Sequence, residues 1–157
     1  MFLPKQWIAK AKTIKLENDR LILKPTRFYT DTYNRERIRN YSYQMIRKKD
    51  NRMIGFCDLR DGDKLALYYL GHIGYNIFPH YQGDGLAVDA TRLLIQLAKA
   101  IGMDELLITC NTDNVASIKT IERAGFKYSD SVSVPVDEPL YHQGDYFKHI
   151  YTMDLKE

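Results

Sequence analysis

The residues best suited to chemistry sit together in the middle of the chain. Gln82-Gly83-Asp84-Gly85-Leu86-Ala87 follows Tyr75-Asn76-Ile77-Phe78 and Pro79, and it opens a helical stripe of Ala87, Ala90, Leu93, Leu94, Leu97, Ala98 and Ile101. Glycines at such a place let the backbone turn sharply and present consecutive N–H groups. The first turn of the helix adds donors without intrahelical partners and partial positive charge, which suits a phosphate or pyrophosphate. The spacing is neither G-x-x-x-x-G-K-[ST] nor the G-x-G-x-x-G of a first strand-to-helix turn. Two glycines before a helix, taken alone, are more often only a tight connection, so a second group of residues decides their meaning.

That second group is Asn111-Thr112-Asp113-Asn114-Val115-Ala116-Ser117, followed by Ile118 to Ala124 and Gly125-Phe126. With the first it resembles the GNAT superfamily of acetyl-CoA-dependent N-acyltransferases. The family signature Q/R-x-x-G-x-G/A is matched by Gln82, Gly85 and Ala87. Its later signature of two asparagines and a closing Gly-Phe is matched by Asn111, Asn114, Gly125 and Phe126. Ser117, with Glu122-Arg123-Ala124-Gly125-Phe126 behind it, looks most like the branch containing the ribosomal-protein N-acetyltransferases.

The resemblance implies a GNAT-like mixed α+β domain over residues 1–157, its mostly antiparallel sheet splayed between two parallel strands. It implies acetyl-CoA (coenzyme A) as co-substrate, with the pyrophosphate on the N–H groups of Gly83, Asp84, Gly85, Leu86 and Ala87. The pantetheine is expected along Ile77 and Phe78, with Gln82, Asn111, Asn114 and Ser117 completing the cofactor residues. No metal is implied. The reaction is direct attack by a primary amine, which needs a base for the ammonium, a donor for the oxyanion and an acid for the thiolate.

Two departures from the family pattern stand out. Many members place a tyrosine four residues before the glycine of Gly-Phe, where this chain has Ile121. The resemblance offers Ser117 as the substitute group at the sulfur, against the plainer reading of a helix-surface serine. For the base, the candidates are His72, Tyr75 and Asn76, with Asp58 on the preceding strand. His72 is preferred because imidazole titrates near neutral pH, although a histidine satisfied within the fold explains it equally well. The second departure is length, because the family places two helices after its first strand and Thr26 to Asn40 is too short for both. Tyr141 and His142 fall in a loop that borders the acceptor pocket in this family, or is simply exposed.

The supporting elements follow from pattern. Arg20 to Lys24 reads as a strand closed by Pro25, and Thr26 to Asn40 as a loop or one short helix. Tyr41 to Arg47 and Arg52 to Leu59 form a hairpin signal, and Gly71 to Phe78 is a further strand ended by Pro79. Glu105 to Cys110 reads as a buried strand, Asp113-Asn114 as the cap of a helix running to Ala124, and Phe126 to Val134 and Tyr146 to Leu155 as strands. Residues 1–18 read as an arm or a short helix.

Composition agrees with an ordinary globular chain: 157 residues, 45% apolar, 27% charged. A net charge of +3 is too small for wrapping nucleic acid. Arg35, Arg37, Arg39, Arg47, Lys48, Lys49 and Arg52 read as a solvated face, with RNA binding as the rival. Cys57 and Cys110 lie in apolar runs and read as core thiols of a reducing compartment. The expectation is a cytoplasmic enzyme without membrane or nucleic-acid partners, acting on a small-molecule or protein-terminal amine, with a homodimer as one open oligomeric state. A non-catalytic acyl-CoA-binding or regulatory module is the alternative.

Overall fold

Alternating strand patterns in the first half and helical periods in the second are arranged around two sheets. The computed structural model describes residues 5–156. In chain order the elements are α1 (Lys5–Lys12), β1 (Leu16–Glu17), β2 (Leu21–Tyr33), β3 (Glu36–Arg47), β4 (Arg52–Asp61), β5 (Ile73–Ile77), α2 (Leu86–Ala100), β6 (Glu105–Asn111), α3 (Val115–Arg123), β7 (Lys127–Ser133) and β8 (Phe147–Asp154). Short 3-10 turns at Pro79–Tyr81 and Pro139–Gln143 sit between them. Strands β1 to β5 form one antiparallel sheet in sequence order, and β6, β8 and β7 form the other. Among the described residues no helix is long and apolar enough to cross a membrane.

The stripe of α2 buries Leu86, Ala90, Leu93, Leu94, Leu97 and Ala98 in a core shared with Tyr41, Tyr43 and Met45 of β3 and with Leu106 and Ile108 of β6. Cys57 and Cys110 are free thiols in this core. Gly102, at φ 89°, ends the helix in the left-handed region as a helix C-terminus prefers. The Arg47–Arg52 hairpin and the β5, α2, β6, α3, β7 and β8 assignments agree with the sequence patterns.

One stretch differs. Pro25 does not end a strand, and Thr26 to Asn40 is neither loop nor helix: β2 continues through Pro25 to Tyr33 and pairs with β3 along its length. The proline is tolerated because β1 pairs only as far as Leu23, so β2 is an edge strand from there on. A bulge between Pro25 and Arg27 absorbs the missing N–H. The tip is a two-residue turn in which Asn34 (φ 48°) and Arg35 (φ 69°) both take positive φ. Helix α1, whose Trp7 stacks on Phe28 and meets Tyr41 edge-on, covers part of this hairpin.

The sheets meet at one point. Among the described residues, His72 N–H donates to Leu107 O (2.8 Å), and this is where backbone hydrogen bonds link β5 to β6. In the β4–β5 ladder, Arg60 with His72 and Ile54 with Phe78 mark the hydrogen-bonded pairs. By alternation, the backbone groups of Ile73, Tyr75 and Ile77 point to the other edge, toward β6. A wedge therefore opens between β5 and β6 above His72.

Candidate active site

The glycine loop lies between the end of β5 and the start of α2. Gly83 has φ 101° and Gly85, the N-cap of α2, has φ 75°; a Cβ at either would meet nothing within 4 Å. The glycines therefore serve backbone conformation and leave open space in front of the loop. Among the described residues, the N–H groups of Gly83, Asp84 and Gly85 donate to no protein acceptor, and those of Leu86 and Ala87 lie in the first helical turn. Five adjacent donors facing an open groove fit a pyrophosphate.

The loop is held from two sides. Gln82 Nε2 donates to Ile77 O (2.9 Å), so its side chain ties the loop to β5. Arg20 donates to Asp84 O and pairs with Asp89 Oδ2 (3.3 Å), and Asn18 donates to Asp89 Oδ1 (3.1 Å). Beside the glycines a groove of about 450 Å³ is lined by Arg20, Arg92 and Arg123. On the other side Arg47 lies over the Tyr81 ring at 5.0 Å and reaches Asp84 at 3.9 Å. The arginines offset the charge of Asp84 in front of an anion site. Sequence reasoning passed over Arg20 and Arg92, whose sequence distance from the loop hides their role.

The asparagines of the second signature are engaged within the fold. Asn114 caps α3, its Oδ1 accepting from Ser117 N–H (3.1 Å). Asn111 Nδ2 donates to Asp145 Oδ1 (2.9 Å), while its Oδ1 is buried without a protein partner. Lys148, opposite Asn111 on β8, is buried and lies 3.9 Å from Asp145; burial lowers its pKa and Asp145 opposes that shift. Ile121 is fully buried core and supplies no acid. Ser117, in the first turn of α3, accepts a hydrogen bond from Tyr75 Oη (3.1 Å).

His72 is not placed to act as a base. It is 2% exposed, its Nδ1 accepts from Leu107 N–H (2.8 Å), and its Nε2 lies 3.1 Å from Gly62 O. An acceptor Nδ1 and a donor Nε2 define a neutral imidazole with both nitrogens engaged. Burial lowers its pKa, with the Gly62 carbonyl, Asp61 and Glu105 acting against that shift. The ring extends the β5–β6 contact by one hydrogen bond and pins the apex of the wedge.

A different group faces the open side of the first sheet. Register places Ser42, Asp58 and Gly74 side by side across β3, β4 and β5, on the face opposite Tyr43, Cys57 and Tyr75. An open groove of about 460 Å³ runs there, with Phe56 and Asn76 at one end. Burial raises the pKa of the Asp58 carboxyl, although Arg60 Nε at 3.2 Å works against it. Arg60 is itself held by Leu70 O (3.3 Å) and Gly71 O (3.1 Å). A Cβ at Gly74 would come within 2.5 Å of Arg60 Nη2 and 2.7 Å of Asp58 Oδ1, so only glycine leaves room over β5 for the Asp58–Arg60 pair. The hairpin tip meets the β7–β8 loop. Tyr33 Oη donates to the buried Glu138, and Asn34 Nδ2 donates to Glu138 Oε2 (2.9 Å) and Ala66 O (2.8 Å). Tyr141 and His142 belong to that loop, stacked edge-on against each other.

A glycine loop at a helix N-terminus beside a strand wedge, with α3 capped alongside, is matched by one family model. The acetyltransferase (GNAT) domain covers residues 6–127. The chain belongs to the GNAT acetyltransferase family. Solved structures of similar fold include the microcin C7 self-immunity acetyltransferase MccE in complex with acetyl-CoA and AMP (TM-score 0.56, 23% identity, covering 73% of this chain and 61% of that one). The RimL ribosomal L7/L12 α-N-protein acetyltransferase in complex with coenzyme A is similar too (0.56, 21%, 73% and 62%). So is a GNAT-family acetyltransferase from Bacillus anthracis (0.57, 16%, 74% and 67%). The match spans less than two thirds of the MccE and RimL chains. No curated protein sequence matches the chain.

Proposed function

We propose that this GNAT protein transfers the acetyl group of acetyl-CoA to a primary amine by direct attack. The observation that carries the reading is the row of free N–H groups at Gly83, Asp84 and Gly85, ahead of α2 and beside the wedge. The loop holds the pyrophosphate, and the free edge of β5 receives the pantetheine and offers Tyr75 N–H to the thioester oxygen. Ser117, at the mouth of the wedge, stands beside the leaving sulfur. MccE and RimL, as their complexes with acetyl-CoA and coenzyme A record, use the same fold for this ligand.

Asp58 takes the role first given to His72. Its raised carboxyl pKa suits a group that must accept a proton from an ammonium, and the groove in front of it is open. The acceptor approaches over the open face of β3, β4 and β5. A small-molecule or protein-terminal amine fits an open face of this kind.

The buried Ile121 favours a second reading, an acyl-CoA-binding module without turnover. One assay separates the two: thiol release from acetyl-CoA in the presence of a panel containing a serine-initiated peptide, spermidine and an aminoglycoside. Amine-dependent release supports transfer. Saturable acetyl-CoA binding without release on any amine supports the module, and absence of binding removes both readings.

A further inference from the structure

Ser117 is not alone at the mouth of the wedge. Tyr75 projects from β5 to the core side and donates its phenol hydrogen to Ser117 Oγ across the wedge (3.1 Å). Burial raises the Tyr75 pKa, while hydrogen bonds to Ser117 and Thr120 lower it; the net shift is upward. The phenol therefore stays protonated at neutral pH and acts as donor. Ser117 N–H is already taken by Asn114 Oδ1 at 3.1 Å. Among the described residues, the Ser117 hydroxyl hydrogen has no protein acceptor. With one lone pair of Oγ occupied by the Tyr75 phenol, the Ser117 hydrogen is left available to another acceptor.

We propose that Tyr75 is the positioning residue of this acetyltransferase: its hydroxyl orients and polarises Ser117 so that Ser117 donates to the coenzyme A sulfur. The proposal rests on the acetyl-CoA reading above. When the new C–N bond forms and the C–S bond breaks, the electron pair stays on sulfur, where the Ser117 O–H meets it. Neither hydroxyl gives up its proton; the proton released by the amine reaches the thiolate through solvent. A two-membered hydroxyl chain strengthens the terminal donor because each bond polarises the next.

The test needs no acceptor. Coenzyme A is bound to the full chain, and its thiol is titrated by the ultraviolet absorbance of the thiolate, for the parent protein, Tyr75→Phe, Ser117→Ala and the double variant. Affinities for coenzyme A and desulfo-coenzyme A are measured alongside. The parent should hold the thiol below its free pKa. Tyr75→Phe should raise it by about one unit, a tenfold loss of thiolate at a given pH. Ser117→Ala should raise it at least as far, and the double variant no further than Ser117→Ala. Affinity for desulfo-coenzyme A should stay unchanged in Tyr75→Phe. An unchanged thiol pKa in Tyr75→Phe with coenzyme A bound overturns the proposal and leaves the acetyl-CoA reading standing, as does an equal loss of affinity for both ligands, which marks a packing role. Failure of the parent protein to bind coenzyme A at all removes the acetyl-CoA reading and the proposal together. Should Tyr75→Phe not fold, the Ser117→Ala titration reads the chain's terminal donor, and a parent-like thiol pKa there overturns the proposal.

Discussion

The two sides of the wedge are built on different terms. On the α2 side, the glycine loop, the helix start and the Asn114 cap are local: their geometry is dictated by neighbours a few residues away. On the side of the open sheet face, the groove is lined from three strands, β3, β4 and β5, while the β2–β3 hairpin tip is tied to Ala66 and to the β7–β8 loop. A ligand site made of backbone N–H groups constrains conformation and tolerates varied side chains. An acceptor site made of side chains from distant strands changes with each of them. The α2 side accordingly carries the motifs read from the sequence, and the open side carries the long β2–β3 hairpin that those motifs do not reveal.

Asp58→Asn is the sharpest way to separate the sides. Turnover with a competent amine should fall by about 100-fold or more, with acetyl-CoA affinity unchanged. In the parent, rate should rise as pH climbs through an Asp58 pKa lying above 3.8, and this limb should vanish in the variant. Retention of the limb would assign it to another group.

The hinge between the sides comes next. His72→Phe leaves Leu107 N–H and Gly62 O without partners, which should cost about 3 kcal/mol in chemical denaturation. In the parent, burial outweighs Asp61, Glu105 and the Gly62 carbonyl in setting the His72 pKa, with Arg60 adding to the lowering. The neutral ring is the folded form, so its contribution is complete above the unfolded value of 6.5 and is lost as pH falls from there through the lower folded value. If the variant matched the parent in both stability and its pH dependence, the ring would not be pinning the apex.

Gly85→Asp strikes the α2 side alone. A side chain at φ 75° and a negative charge before the N–H row should weaken acetyl-CoA by about 100-fold, or ~2.7 kcal/mol. Calorimetric titration reads the affinity, and circular dichroism checks the fold. The smallest effect belongs to Tyr33→Phe, which removes one bond of the strap to Glu138 and should cost about 1 kcal/mol while sparing acetyl-CoA binding. A loss of coenzyme affinity in that variant would couple the two sides after all.

The same contrast explains what was legible in the sequence. Gln82 to Ala87, the α2 stripe and the Asn114 cap are read from spacing because helix starts obey short-range rules. The β2–β3 hairpin was not legible. Arg27, Asp31 and Thr32 break the apolar alternation, Pro25 signals a strand end, and the Asn34-Arg35 turn contains no glycine. The setting of His72 is hidden for a related reason: its partners are backbone groups of Gly62 and Leu107, which no side-chain pattern reveals. Asp58 is a candidate by sequence, but its pairing with Arg60 over Gly74 of β5 is set by cross-strand register, which spacing along the chain does not show.

The central claim is that the loop before α2 binds acetyl-CoA. Thermal unfolding of the parent and of Gly85→Asp, each with and without acetyl-CoA, tests it directly. At about 100 times the parent's dissociation constant, the ligand should add ~2.7 kcal/mol to the parent, seen as a clear upward shift in melting temperature, and only ~0.4 kcal/mol to a Gly85→Asp variant weakened about 100-fold. An equal shift in both proteins would place the ligand elsewhere, and no shift in the folded parent at saturating acetyl-CoA would contradict the account.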